Sequence, residues 1–242
     1  MSHFDQGPPP VSPAAIGRLA AVGGLGFCIA SLAGDFTIGP FPDSGTPAPQ
    51  LVSYYAAHHA QVGAAGMLLA VAGLLFVPFG LAVWARIRQA SGSPVLAGLA
   101  IIATTLVALT TLTSASAYGV LGDIGGLRGV SPTALQAWHI MGSEGSLVGA
   151  AATFLFLLAA AWAGLAVRAV PPWLAWPALL LAVLQLMPHP IGFFASMLFL
   201  AWAAAAGIGL LLARPSRQAV PSRAAPVGQP AYPVAQEEVR HA

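Results

Sequence analysis

Four histidines, His58, His59, His139 and His189, each fall near the end of an apolar stretch, and Glu144 follows His139 closely. Imidazole and carboxylate are the usual protein ligands of zinc, copper and haem iron, so these five residues are a candidate metal or haem site. With Glu144 or Asp123 as general acid and His139 as base, the same residues could instead serve an enzyme acting on a lipid or isoprenoid. Local spacing does not bring them together. On a helix His58 and His59 diverge by about 100°, and His139 and Glu144 by about 140°, so a site would have to be assembled between segments. A second group is hydroxylic: Thr110, Thr111, Thr113, Ser114 and Ser116 crowd one half of a single apolar run, and Gln185 ends another. Of these, Thr110, Thr113, Ser114 and Gln185 are the candidate lining of a polar vestibule, with Glu144 and His189 beside them. There is no phosphate-binding glycine loop, nucleophile elbow or HExxH helix, so nothing selects nucleotide hydrolysis, serine hydrolase chemistry or zincin proteolysis.

The elements that must position these groups follow from composition. Of 242 residues, 57% are hydrophobic and 7% are charged, against about a quarter charged in a soluble domain. Six apolar runs, spanning about 14–33, 62–84, 95–117, 147–167, 172–187 and 191–213, set the pattern. A run that crosses lipid must be helical, because any other open backbone leaves polar groups unsatisfied there. The expected fold class is therefore all-α: a polytopic membrane bundle of six transmembrane helices occupying 14–213. Proline-rich tails, 1–13 and 214–242, are expected to be disordered. No ionisable side chain falls in the middle of a run, which argues against an ion-driven pump. The nine basic residues are scattered singly, which leaves no footprint for nucleic acid.

Arginine placement orients the bundle. Arg18, Arg86, Arg88, Arg168, Arg214, Arg217 and Arg223 flank one set of run ends, whereas Asp35, Asp43, Asp123 and Glu144 flank the other with only Arg128. Positive flanks stay cytoplasmic, so both termini are assigned inside. A cleaved first run is the less favoured alternative, since the leader before Arg18 is long, acidic at Asp5 and rich in proline. Thr46-Pro47 and Ser131-Pro132 read as helix starts well before the apolar runs they precede. A helix from Pro47 to Arg88 would be about 63 Å long, more than a bilayer with its headgroups, and must protrude, bend or lie along the interface. Tyr54, Tyr55, Trp138 and the histidines are then read most simply as an interfacial belt at headgroup depth. Val62-Gly63-Ala64 and Val148-Gly149-Ala150 also hint at a duplicated helical hairpin.

The arrangement Tyr54-Tyr55, His58-His59, Leu68-Leu69, Leu74-Leu75-Phe76, Leu81, Arg86 and Arg88 resembles six-helix actinobacterial membrane proteins of uncharacterised function. The resemblance covers about 14–213. It implies a plasma-membrane location and carries no substrate, cofactor or catalytic residue. The expectation is thus a multi-pass plasma-membrane protein, leaning away from catalysis, that partners other membrane subunits or itself, or handles an apolar small molecule. An outward metal, haem or lipid-modifying site and a passive permease are the alternatives.

Overall fold

The computed structural model describes residues 12–91, 93–127, 129–187 and 191–212, with backbone alone at 13 and 144–147. The described residues form six helices and no strand: α1 Pro13–Ile38, α2 Ala48–Ser91, α3 Pro94–Gly125, α4 Pro132–Val167, α5 Pro172–Gln185 and α6 Ile191–Leu212. Their starts follow local chemistry. Ser12 Oγ accepts from Ala15 N–H at 3.2 Å and Ser93 Oγ from Leu96 N–H at 3.4 Å, each just ahead of a first-turn proline. Ser131 leads α4 with a proline behind it but makes no side-chain cap bond. Helix α2 continues through Pro78. Most of the tails, 1–11 and 213–242, lies outside the described residues.

Consecutive helices pack in succession, and α6 returns against α1. Glycines show that the neighbours run antiparallel. On α1, Gly17 lies beside Leu210 and Leu211 of α6 and Gly24 beside Ala203, while Gly23 lies against Phe79 of α2 and Gly34 beside Leu69. The start of α1 and the end of α6 therefore share one end of the bundle. Arg18, Arg86, Arg88 and Arg168 belong to that end. There Arg86 Nη2 donates to the Leu210 carbonyl at 3.2 Å, one of the carbonyls that the C-terminus of α6 leaves without a helical partner.

Five helices are long and apolar enough to cross a membrane, the proportions of a multi-pass membrane protein. Their outer surfaces carry Ile29, Leu74, Ile102, Leu109, Trp162 and Leu198 exposed, as hydrocarbon-facing positions require. Helix α5 differs. It has 14 residues, about 21 Å against a hydrocarbon core of about 30 Å. Pro171 and Pro172 delimit its start, and it ends at Gln185.

The core divides in two. The larger part centres on Phe27, Phe76, Phe79, Phe156, Phe199 and Trp202, with ring centroids 4.9 Å apart for Phe27–Phe76 and 5.0 Å for Phe76–Phe156. Trp202 Nε1–H donates to the Leu174 carbonyl at 2.9 Å, so the indole is buried without an orphan donor. The smaller part gathers Leu51, Tyr55, Val62, Leu121 and Leu135, with Phe41, Tyr54, Tyr118, Ile124, Val130 and Trp138 against it. Helix α2 is 44 residues long, about 66 Å. Its first turns, with the end of α3 and the start of α4, extend past the end of α1 and form this second core. These first turns are thus packed into a head rather than left as bare helix ends. Val62 is buried in it whereas Val148 is exposed, so the two Val-Gly-Ala segments are not packed alike.

Candidate ligand cavity

Between the head and the aromatic core a cavity of about 270 Å³ opens among α1, α2, α3, α4 and α6. Helical spacing explains its walls. Phe27, Ser31 and Asp35 stand four residues apart on one face of α1, and Val107, Thr110, Thr111, Ser114 and Tyr118 share one stripe of α3. Helix α4 brings Gly142, Ser143, Gly149, Ala150 and Thr153, and α6 brings Ser196, Met197, Phe199 and Leu200. Small residues make the room. Gly149 faces Thr110, and a Cβ on it would meet the Thr110 hydroxyl oxygen only at 3.9 Å. The floor is apolar, since Phe27 and Phe199 belong to the aromatic core with centroids 5.8 Å apart. The opposite, head-side end carries Asp35, Tyr118 and Ser143.

The hydrogen-bond pattern fixes the direction of part of the lining, while the hydroxyls of Ser31, Ser114, Thr153 and Tyr118 make no hydrogen bond with another described residue. Thr110 Oγ1 donates to the carbonyls of Leu106 at 2.9 Å and Val107 at 3.0 Å, and Thr111 Oγ1 donates to Val107 at 2.8 Å. Ser196 Oγ lies 3.1 Å from the Gly192 carbonyl and 3.3 Å from Gln185 Oε1, both acceptors. A hydroxyl whose proton is held by its own helix offers only lone pairs to whatever lies beside it. Asp35 has no hydrogen bond or ion pair with another described residue, and no Lys, Arg or His is among the described lining residues.

Two of the expected vestibule residues, Thr110 and Ser114, line this cavity. Thr113 does not: it is exposed on another face of α3 and donates to the Leu109 carbonyl at 2.9 Å. Gln185 is buried one layer behind, touching the wall through Ser196, and its Nε2 has no partner among the described residues. Ser31, Asp35, Tyr118, Thr153 and Ser196 were not read from sequence as lining. The signal for Asp35 was the four-residue spacing from Phe27 through Ser31. The apolar run itself ends near Ala33, whereas α1 continues to Ile38, so the spacing lies partly beyond the run.

The histidines go elsewhere. His139 is fully buried in the head: Tyr55 Oη donates to its Nδ1 at 2.8 Å, and its Nε2–H donates to the Asp43 carbonyl at 3.0 Å. Both ring nitrogens are thus engaged within the protein, which leaves neither turned toward a metal. His58 Nδ1–H donates to the Tyr54 carbonyl at 2.9 Å and stacks on the Tyr54 ring at 4.5 Å, while His59 Nδ1–H donates to Ala56 at 3.2 Å. Among the described residues no three His, Cys, Asp or Glu side chains gather as metal ligands. His189 and the Glu144 side chain lie outside them. Tyr55 and His139, expected in an interfacial belt, instead point inward, because two hydrogen bonds make the buried imidazole tolerable.

No family model, curated protein or solved structure matches the chain. Its own geometry carries the functional argument. Among the described residues the cavity is bounded on one side by packed aromatic rings and lined on the other by oxygen atoms.

Proposed function

We propose that this chain is a six-span plasma-membrane protein with both termini cytoplasmic that holds a small amphipathic molecule, taken from the outer side, in the cavity between its head and its aromatic core. The observation that carries the reading is the graded lining: Asp35 and Tyr118 toward the head, hydroxyl oxygens in the middle, Phe27 and Phe199 at the floor. The orientation rests on the arginine-bearing end, where Arg18, Arg86, Arg88 and Arg168 collect, against the opposite end with Asp35, Asp43 and Asp123. As the sixth span, α5 is short, and a short span is accommodated by local thinning of the bilayer and by burial against neighbouring helices. Leu174, Ala175, Ala178, Leu181 and Ala182 supply that burial.

The test uses a Cys28→Ala background, since Cys28 is the single cysteine. Ser114→Cys should react from outside intact cells with a membrane-impermeant thiol reagent. Leu109→Cys, on the lipid-facing side of the same helix, should stay unlabelled. Failure of Ser114→Cys to react from outside, with the protein folded and in the membrane, would remove the outward cavity reading.

A further inference from the structure

We propose that the molecule held in the cavity is a small organic cation, an ammonium carrying an apolar substituent, with the Asp35 carboxylate as its counter-ion. This rests on the outward cavity reading and adds the ligand's chemical class. Three features of the lining select it. The first is donor and acceptor balance. Thr110, Thr111 and Ser196 have their hydroxyl protons directed to carbonyl acceptors within the protein, so they face the cavity as acceptors. An anionic ligand would meet these lone pairs, the Asp35 carboxylate and no described cationic side chain, while the unbonded hydroxyls of Ser31, Ser114, Thr153 and Tyr118 suit a neutral polar group as well as an ammonium's counter-contacts. An ammonium brings donors only.

Charge is the second feature. Asp35, exposed at the head-side end, has no ion pair or hydrogen bond with another described residue and is the one charged side chain among the described lining residues. An unpaired carboxylate at the end of an otherwise uncharged cavity attracts a cation, and low-dielectric walls screen that attraction less than open water does. The third feature is shape. Phe27, Phe199 and Tyr118 contribute rings, which suit both an apolar substituent and a cation held near a π face. At about 270 Å³ the space greatly exceeds a bare metal ion, so an inorganic cation would leave the aromatic floor unused.

The experiment measures protection of Ser114→Cys, in the Cys28→Ala chain in membranes, from the impermeant thiol reagent. Three probes of matched size are compared: 2-phenylethylammonium, the neutral 2-phenylethanol and the anionic 3-phenylpropionate, with sodium and potassium chloride as controls. The ammonium should slow labelling, whereas the other two and the salts should not. Replacing Asp35 by Asn should raise the half-protecting concentration roughly tenfold or more, the scale of a lost charge-assisted contact. Asp35→Glu should restore part of the effect. Unprotected labelling rates in these variants report whether the cavity is still open. If Ser114→Cys labels but the three probes protect equally, or none protects, or Asp35→Asn protects as well as Asp35, the cation inference is overturned while the cavity stands. If Ser114→Cys never labels, the cavity reading itself fails and the inference goes with it.

Discussion

His139 sits fully buried in the head, where its ring packs against Phe41 at 5.1 Å. Its type and neighbourhood suggested a ligand or a base, but Tyr55 and the Asp43 carbonyl hold both ring nitrogens inside the head. These bonds join α2, α4 and the segment between α1 and α2 in one place. Tyr55→Phe should lower unfolding stability in mixed micelles by about 1–2 kcal/mol, since it removes one buried hydrogen bond and leaves the imidazole Nδ1 unpaired. His139→Ala should cost more, about 3 kcal/mol, because it adds a void beside Phe41 and strands both partners. It should also speed proteolysis in the Pro40–Pro47 segment. Equal losses from the two variants, with no change in cleavage, would mean that the histidine does not fasten this segment. The hydroxyl positions were partly legible: the polar half of α3 was plain in the sequence, but which hydroxyls face inward was not. Thr110 and Ser114 differ by four residues and line the cavity, whereas Thr113 points elsewhere.

Helix pairing depends on glycine where backbones touch. A Cβ on Gly24 would lie 2.5 Å from the Ala203 carbonyl oxygen, and one on Gly23 would lie 2.5 Å from the Phe79 amide nitrogen. The small-residue face of α1 is therefore an interface on two sides, α6 at Gly24 and α2 at Gly23. Gly24→Leu should drive α1 from α6, lower the melting temperature in detergent and make the protein aggregate on size exclusion. Gly98 in α3 has open space around it, so Gly98→Ala should be neutral or stabilise by up to about 1 kcal/mol through helix propensity alone. Comparable behaviour of the two variants would show that close approach is not what requires glycine at Gly24. These contacts could not be assigned from sequence, because alanine- and glycine-rich faces occur on several of the helices and resemble one another.

Across the described bundle, the antiparallel order gathers Arg18, Arg86, Arg88 and Arg168 at one end and Asp35, Asp43 and Asp123 at the other. Accessible tags inserted at Gly45 and Gly129 should be detected on intact cells, and a tag between α2 and α3 only after permeabilisation. A tag between α4 and α5 should behave as the α2–α3 tag does; if it is detected from outside, the chain reverses in the membrane before α5 and the span count of six falls. Helix α5 is where this measurement matters most, since its 14 residues fall short of the hydrocarbon thickness on their own.

The sequence alone determined the class of fold, because a chain with 7% charged residues and repeated apolar runs has only helices available to it in lipid. It also determined the start of α4 at Ser131-Pro132, the charge asymmetry between the ends and the excess length of α2. Tertiary structure alone decided which polar atoms meet. The second core turned Tyr55 and His139 inward, the extension of α1 to Ile38 put Asp35 on a helical face, and α6 carried Ser196 to the same wall as Ser31. The reason is geometric: lipid imposes helices through local backbone hydrogen bonding, but the facing of each helix is set by close packing against neighbours distant in sequence.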